Sequence, residues 1–402
     1  MPLTATKHPK PFRDIRLSRR RNTPLHDFGR HVWSDILEAV TGKALPTFPN
    51  LIQRAQASGL PMDDFQEALE AGGESGQNSD ADIATELLSV ARGHYGKGSY
   101  WAELGVKTQA RDHYLMAMLW CSYAELFIEE PFLRARVHPL YQEAYRKVAH
   151  LFASPARLVS VDIGHGQGIL EGYLRLPQST HQGGRNTGVP CAILVNGLSS
   201  TKEELHFTEN ALLAADIATL SFDYPGIHED TSEALHRLDV DALAYALCAL
   251  VASQIEVDIT RVALYGVSFG ARLALHLATE MPERFKAVVA LSAPFDMLAD
   301  VDTLHATLEQ EAAIYPGTTT SALADFAKKT PLANRLDRIT APLLVAGGGR
   351  DLIALPEETS FIYELAASAD KKLILCPSAG HVCSEMMPSL RHEIAQWIKQ
   401  RI

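Results

Sequence analysis

Gly266-Val267-Ser268-Phe269-Gly270 is the stretch of sequence that decides the fold. Residues 261–265 before it are mostly apolar, as in a buried strand, and residues 271–276 after it have a helical pattern. A serine in a tight turn between a strand and a helix is lifted to the C-terminal edge of a sheet, where its hydroxyl can meet a substrate. The flanking glycines suit so tight a turn. The stretch therefore predicts that Ser268 is a nucleophile.

A serine hydroxyl needs a base to remove its proton, and two residues further along the chain fit this need. His381 follows the last predicted strand, in Cys376-Pro377-Ser378-Ala379-Gly380-His381. Asp351 follows the preceding predicted strand and would orient the imidazole and stabilise its charged form. Ser268, Asp351 and His381 occur in the chain order used by α/β-hydrolases, so they are the predicted catalytic triad.

Two backbone N–H groups are expected to form an oxyanion hole beside the serine. One is that of Phe269, the residue after the nucleophile. The other should come from the loop Asn196-Gly197-Leu198-Ser199-Ser200, which follows the third predicted strand. We predict the N–H of Leu198 as this second donor, with Ser199 as the next choice.

From residue 155 onward, short apolar runs alternate with helical segments. The predicted strands are 158–163, 169–176, 192–195, 218–222, 262–265, 287–291, 343–346 and 373–376. The predicted helices between and after them are 202–214, 239–254, 270–279, 357–367 and 390–402. This alternation predicts a mostly parallel sheet covered by helices on both faces. The expected fold class is therefore α/β, as an eight-stranded α/β-hydrolase fold that begins with a hairpin.

The first part of the chain has a different pattern, which predicts a separate domain. Apolar residues recur at helical spacing in 28–40, 83–91, 110–129 and 141–152, and residues 72–80 form a polar loop. Pro155 then ends the helical pattern. We predict an all-helical cap domain at 1–154 and a catalytic domain at 155–402. Within the latter, residues 297–338 form a long connection that is expected to make a helical excursion near the site.

Composition and charge exclude several classes of function. The 402 residues have a net charge of −11, which argues against a nucleic-acid partner. The sequence has no apolar stretch of about 18–20 residues, the length that crosses a membrane, and its start lacks the apolar core of a secretion signal. The five cysteines are scattered, as expected for thiols in a reducing cytoplasm. No nucleotide-binding motif or metal-ligand spacing occurs, so no cofactor and no metal are expected.

The motifs resemble those of a known family. The run from Asn196 to Glu204, with Thr201-Lys202-Glu203-Glu204 at its end, resembles a conserved stretch of the 2,6-dihydroxypseudooxynicotine hydrolase-like group. That group includes fermentation–respiration switch protein-like hydrolases and polyketide-shortening hydrolases. The serine turn and Gly380-His381-Val382-Cys383 are also similar to its motifs, and its members carry an N-terminal helical cap. One difference is Asp223-Tyr224-Pro225-Gly226-Ile227-His228-Glu229, where the family often has D-G-P-G-Q-G-E.

The resemblance implies hydrolysis of a carbon–carbon bond next to a ketone, or of an ester, in an aromatic or polyketide-like small molecule. It also implies a possible homodimer. Candidate substrate-binding residues are Tyr224, which follows the fourth strand, Asp296 and Asp300, which follow the sixth, and the cap aromatics Trp101 and Tyr114. Each of these five residues also has an ordinary structural interpretation, as a turn, a solvated carboxylate or a core aromatic.

Two other functions remain open on the sequence. An acyltransferase or cyclase would use the same acyl-enzyme on Ser268 but deliver the acyl group to an acceptor other than water. A binding protein without catalysis could share the fold. The intact set of Ser268, Asp351 and His381 favours an enzyme over a binding protein.

Overall fold

The computed structural model describes residues 51–74, 80–128, 131–181, 188–198, 200–225, 238–298 and 319–402. These residues contain one eight-stranded sheet, with the order β1-β2-β4-β3-β5-β6-β7-β8. The strands are β1 Ala156–Asp162, β2 Ile169–Arg175, β3 Val189–Val195, β4 Ala218–Phe222, β5 Val257–Val267, β6 Ala287–Leu291, β7 Leu343–Gly348 and β8 Lys371–Cys376. The sheet confirms the predicted fold class.

The sheet is antiparallel at the end formed by β1 and β2 and parallel from β4 to β8. β1 and β2 form an antiparallel hairpin, and β2 also pairs antiparallel with β4. All remaining pairs, from β4 through β8, are parallel. Every residue of β4 and β6 is buried, as expected for parallel strands covered on both faces. β5 begins at Val257, five residues before its predicted start, because its polar first half extends the strand past the apolar core.

Helices cover both faces of the sheet. They are α6 His206–Ala214, α7 Val240–Ala252, α8 Phe269–Glu280, α9 Thr320–Lys329, α10 Pro356–Leu365 and α11 Met387–Lys399. Side chains of α6 and α11 form one apolar cluster with the sheet, and those of α7, α8, α9 and α10 form another on the opposite face. Helix α11 begins three residues earlier than predicted, directly after a 3₁₀ segment, His381–Met386.

Five helices precede the sheet in the described part of the chain. They are α1 Leu51–Ala57, α2 Met62–Glu74, α3 Asp80–Glu103, α4 Lys107–Glu125 and α5 Pro131–Ala149. Their apolar side chains form a core of their own around the fully buried Trp120, which Tyr173 of β2 joins. The predicted helix at 28–40 lies outside the described residues. Of the predicted polar loop at 72–80, residues 72–74 belong to α2 and Asp80 begins α3, and the residues between them lie outside the described ranges. The division into a cap at 1–154 and a catalytic domain at 155–402 stays a prediction.

The connection at 297–338 is described only in part. Residues 299–318 lie outside the described ranges, and the rest contains α9 and a 3₁₀ turn, Leu336–Arg338. Apolar residues of α9, Leu323 and Phe326 among them, pack into the core beneath the sheet. None of the helices in the described ranges is long and apolar enough to cross a membrane.

The end of β3 and the start of α8 are in unusually close contact. A Cβ atom on Gly270 would overlap the carbonyl oxygens of Val195 and Asn196, which are backbone atoms that cannot move aside as a side chain can. A Cβ on Gly266 would likewise overlap the backbone of Ala271. The two glycines of the serine turn are therefore required by packing, since any side chain would push α8 away from the sheet.

This contact predicts that Gly270→Ala is strongly destabilising. We expect it to lower the free energy of unfolding by about 3 kcal/mol, the upper end of the usual cost of overpacking. The measurement is chemical denaturation followed by circular dichroism. Gly96→Ala is the matched control, because Gly96 lies in α3 with open space around its Cα and should gain about 0.5–1 kcal/mol. Equal stability of the two variants would contradict the close-packing argument.

Candidate active site

Ser268 lies in a strained turn between β5 and α8. Its φ of 55° and ψ of −125° are values that non-glycine residues rarely adopt. The turn is held by a 2.8 Å hydrogen bond from the Ser268 N–H to the carbonyl oxygen of Leu291, at the end of the neighbouring strand β6. The serine therefore stands at the N-terminus of α8, where the helix dipole favours negative charge.

A chain of hydrogen bonds joins the three predicted catalytic residues. His381 Nε2 lies 2.8 Å from the Oγ of Ser268. His381 Nδ1 lies 2.9 Å from both carboxylate oxygens of Asp351, which is 0% exposed. With Nδ1 donating to the carboxylate, Nε2 is left to accept the hydroxyl hydrogen of the serine. The structure thus brings Ser268, Asp351 and His381 together in the geometry that proton transfer from the serine requires.

Backbone contacts fix the acid and the base of this chain. The Oδ1 of Asp351 accepts the N–H groups of Ile353 and Ala354, both at 3.0 Å. The residue after the histidine, Val382, has a φ of 55° and donates its N–H to the Oγ of Ser292 at 3.0 Å. These bonds hold the carboxylate and the imidazole in place before a substrate arrives, which lowers the cost of reorganisation during a reaction.

Cys383 is a buried structural thiol beside this loop. It is a free cysteine with 0% exposure and is not among the residues that line the cavity beside Ser268. Burial raises the pKa of its thiol far above the usual value. A thiol with so high a pKa is inert as a nucleophile.

The loop predicted to supply an oxyanion donor lies directly against the serine. A Cβ built on Gly197 would lie 3.4 Å from the Cβ of Ser268 and 3.9 Å from its Oγ, which is ordinary van der Waals contact, so the backbone of this loop lies beside the serine. Leu198 follows and lines the adjoining cavity, while Ser199 lies outside the described residues. Phe269 is the first residue of α8, where helical N–H groups have no partner within the helix. The roles of Leu198 and Phe269 stay predictions.

A buried ion pair fixes the far side of the same loop. Lys202 Nζ lies 2.6 Å from the Oδ2 of Asp223, and its backbone N–H donates to the Oδ1 at 2.8 Å. The side chain of Asn196 also donates to Asp223, at 3.3 Å. Although burial alone would lower it, the pKa of Lys202 is raised by the carboxylates of Asp223 and Glu203, so the lysine stays charged. The pair ties the start of the loop to its end.

A cavity of about 140 Å³ opens beside Ser268 and His381. Most of its described wall comes from three places: α1 with the turn after it, the segment from Gly197 to Thr208, and the start of α11 with the preceding 3₁₀ segment. Val267 at the end of β5 and Ile353 after β7 complete it. Three charged side chains besides His381 take part, namely Arg54, Glu204 and Arg391. The N-terminal helices therefore contribute directly to the wall of the site.

The structure places four of the five predicted substrate-binding residues away from this cavity. Tyr224 is 2% exposed and packs under the ring of Phe269, because the turn after β4 points it into the core. Tyr114 packs against Tyr95 and bonds to Ser99 within the N-terminal helices, and Trp101 packs at the edge of that core. Asp296 is exposed and accepts the N–H of Leu298. Asp300 lies outside the described residues. None of the four described residues lines the cavity beside Ser268.

Arg54 and Arg391 line the cavity beside Ser268, although no local pattern in the sequence marks either of them. They stand 337 positions apart, on α1 and α11, and only tertiary packing brings them together. Glu204 ends the run from Asn196 to Glu204, but a sequence motif does not indicate the tertiary contacts of its residues. It accepts hydrogen bonds from Arg54 at 2.7 Å and from Ser122 of α4 at 2.9 Å.

One cluster in the described chain has side chains suited to a metal ion, but a cation already occupies it. Asp241 of α7 lies near His276 and Glu280 of α8. The guanidinium of Arg335 forms an ion pair with Glu280 and lies 3.4 Å from the ring of His276. Arg335 supplies the positive charge that a metal would bring, so the cluster gives no support for a metal centre.

Comparisons with known proteins identify the family that this chain resembles. A profile of the family described as Esterase FrsA-like matches residues 102–325. Esterase FrsA of Klebsiella pneumoniae (strain 342) is 28% identical over 345 residues, covering 79% of this chain and 80% of that protein. The 2,6-dihydropseudooxynicotine hydrolase of Paenarthrobacter nicotinovorans is 24% identical over 316 residues, covering 77% and 82%. These matches confirm the resemblance that the motifs indicate.

A solved structure of 2,6-dihydroxy-pseudo-oxynicotine hydrolase is also similar. It has a TM-score of 0.72 and 22% sequence identity, and the alignment covers 87% of this chain and 95% of that one. This likeness shows a shared fold. Two relatives from Mycobacterium tuberculosis are 28% identical over 198 residues, and the chain spans 65% of their length.

The half-buried carboxyl group of Glu358 is sensitive to pH, and the charge of Asp351 acts on it. Glu358, in the first turn of α10, accepts the N–H groups of Phe295, Asp296 and Leu355 at 2.9–3.1 Å. Burial raises the pKa of its carboxyl to about 7, which outweighs these bonds. Because the folded pKa lies above the unfolded value, the folded state is favoured while the group is protonated. This stability is lost as the pH rises toward and through about 7.

We therefore expect Glu358→Gln to flatten the dependence of stability on pH. The loss of unfolding free energy between pH 5 and pH 8 should be smaller than in the wild type by about 1–3 kcal/mol. Denaturant titrations at the two pH values measure it, and any constant cost of the substitution cancels in the difference. Glu357→Gln is the matched control, since Glu357 is exposed on the same helix. An unchanged pH dependence in Glu358→Gln would contradict the raised pKa.

Proposed function

The chain belongs to the FrsA-like esterase family and is an α/β-hydrolase, and on that premise we propose that it is a serine hydrolase that works through an acyl-enzyme on Ser268. The proposed substrate is a small molecule with an ester, or with a carbon–carbon bond next to a ketone. The observation that carries the proposal is the unbroken hydrogen-bond chain from the Oγ of Ser268 through His381 to the buried Asp351.

The first half of the proposed reaction acylates the serine. As the Oγ of Ser268 attacks the substrate carbonyl carbon, its proton passes to His381 Nε2, and Asp351 stabilises the imidazolium that forms. The carbonyl oxygen becomes an oxyanion, for which the N–H groups of Phe269 and Leu198 are the proposed donors. His381 then gives the proton to the leaving group as its bond to the carbonyl carbon breaks. The acyl group remains on the serine.

The second half returns the serine to its starting state. Water loses a proton to His381 Nε2 and attacks the acyl carbon, and the same oxyanion donors stabilise the intermediate. Breaking the bond to Oγ, with return of the proton to the serine, releases a carboxylic acid. Loss of one oxyanion donor typically costs a factor of about 10²–10³ in kcat, so the position of the loop at Gly197 contributes to the rate in addition to the triad. The Lys202–Asp223 pair supports that position.

The nature of the leaving group distinguishes the two proposed bond types. An alkoxide or phenolate is a competent leaving group once His381 protonates it. A carbon leaving group departs as an enolate, so the substrate must itself carry the conjugation that stabilises the charge. FrsA is named as an esterase and the relative from Paenarthrobacter nicotinovorans as a 2,6-dihydropseudooxynicotine hydrolase, so relatives with different substrates share this family.

We expect Ser268→Ala to reduce hydrolysis of an activated ester such as 4-nitrophenyl butyrate by about 10⁴-fold or more, because the attacking oxygen is lost. Release of 4-nitrophenol, followed by absorbance, measures the rate. A fluorophosphonate probe should label Ser268 in the wild type, and Ser389→Ala is the matched control because Ser389 is an exposed serine on α11. Retention of activity in Ser268→Ala would refute the proposed nucleophile.

A pair of substrates with the same acyl group separates ester from carbon–carbon cleavage. We expect a benzoyl ester and a benzoyl-bearing 1,3-diketone both to yield benzoate, with the activity toward both lost in Ser268→Ala. Product analysis by mass spectrometry is the measurement, repeated with an added alcohol or amine. Formation of a new ester or amide in place of benzoate would instead support acyl transfer. Turnover of the ester alone would restrict the proposal to esters.

A further inference from the structure

Arg391 has an incomplete set of partners for a partly buried cation. It lies in the second turn of α11 and lines the same cavity as Ser268. A guanidinium has five N–H donors. Among the described residues, Arg391 makes one hydrogen bond, from Nη1 to the carbonyl oxygen of Ala57 at 3.1 Å. Its Nε is buried and has no hydrogen-bond partner there.

The remaining surroundings of Arg391 are aromatic. Its guanidinium carbon lies 5.5 Å from the ring centre of Phe207. The groups that act on its charge most strongly are the hydroxyls of Tyr265 and Tyr123, which are neutral at ordinary pH. Burial lowers the pKa of Arg391 from the usual value for arginine. No described carboxylate lies within ion-pair distance of this guanidinium.

The second arginine of the cavity differs in this respect. Arg54 is paired with Glu204, whose carboxylate lies 2.7 Å away. The charged residues of the described wall, apart from His381, are Arg54, Glu204 and Arg391, so the wall carries one positive charge in excess. A charge withdrawn from water without a partner is costly, and that cost is relieved when a ligand of opposite charge binds.

We propose that Arg391 forms a subsite for an anionic group of the substrate, such as a carboxylate. This inference rests on the proposed function, because it places the anion in the cavity where the carbonyl meets Ser268. The cavity that Arg391 and Ser268 both line is small, with a volume of about 140 Å³. A short chain therefore separates the anionic group from the carbonyl that is attacked. The substrate class is a carboxylate-bearing ester or ketone.

A purely structural role for Arg391 predicts something different. Its contact with Ala57, the last residue of α1, places a cation at a helix C-terminus, which is a stabilising arrangement. That role uses one donor of the five and does not depend on the charge of the substrate. The charge preference of the enzyme therefore separates the two roles.

The kinetic test compares 4-nitrophenyl hydrogen glutarate with its methyl ester, which differ in the charge of the far end of the chain. Rates are corrected with Ser268→Ala for hydrolysis that does not need the enzyme. We expect kcat/KM to be at least about tenfold higher for the anionic ester. The free energy of one charge-assisted hydrogen bond corresponds to at least this factor. A preference for the neutral ester, or none, would overturn the proposal.

Variants test whether Arg391 causes the preference for the anionic ester. Arg391→Gln should lower the anionic-to-neutral ratio of kcat/KM by about tenfold or more. Arg401→Gln is the matched control, because it removes the same charge from an arginine that pairs with Asp370 outside the cavity, and its ratio should match the wild type. An equal fall of both rates in Arg391→Gln, with the ratio kept, would assign Arg391 to stabilising α1 alone.

A measurement of ligand binding tests the anion subsite independently of catalysis. In Ser268→Ala protein, calorimetry with monomethyl glutarate and dimethyl glutarate should detect tighter binding of the anion, and Arg391→Gln in the same background should remove the difference. If the wild type hydrolyses neither ester but this difference is found, the proposed function fails and the subsite stands. If esters are hydrolysed but the anion binds no better than the diester, the subsite fails and the proposed function stands.

Discussion

The site depends on the contact between Gly270 at the start of α8 and the backbone at the end of β3. Packing leaves no space for a side chain there, so the helix N-terminus and the loop that begins at Asn196 are pressed together. This contact sets the distance between Ser268 and Gly197, and therefore the position of any oxyanion held between them. The strained φ of Ser268 is a consequence of the same compression, since the chain must reverse within one residue. With a less compact junction, the serine would still lie at the C-terminal edge of the sheet, but the N–H groups that are proposed to stabilise the oxyanion would be out of reach.

Much of this arrangement could be predicted from the sequence because it follows from the geometry of parallel strands. Their C-terminal ends share one edge of the sheet, so Ser268 after β5, Asp351 after β7 and His381 after β8 must lie near one another. The predicted bounds of β4, 218–222, and of β6, 287–291, are the same as those in the structure, because a short continuous apolar run has few other interpretations. Strand ends such as Val257 were missed, because polar residues can extend a strand beyond the core.

The cavity wall could not be predicted, for a physical reason. Arg54, Glu204 and Arg391 carry no local pattern, and their proximity results from how α1 and α11 pack around the segment after β3. The aromatic residues of the N-terminal helices show the same difficulty from the other side. Trp101 and Tyr114 suggested a ligand-binding surface, yet aromatic side chains at helical spacing bury most area by packing with one another, and here they do so. Composition indicates how much apolar surface is buried but does not say where a cleft opens.

Polar contacts join the N-terminal helices to the loop beside the serine. Tyr141 of α5 bonds to Thr201 and lies 3.4 Å from Glu203, while Ser122 of α4 and Arg54 of α1 both bond to Glu204. The walls of the site are thus shared between two parts of the chain that lie far apart in sequence. If the N-terminal helices were replaced by those of a relative, Glu204 would therefore lose Arg54, its ion-pair partner on α1. New specificities in this family should arise by paired substitutions on both sides of this junction, and an exchanged helical part should function only when the partner residues are transferred with it.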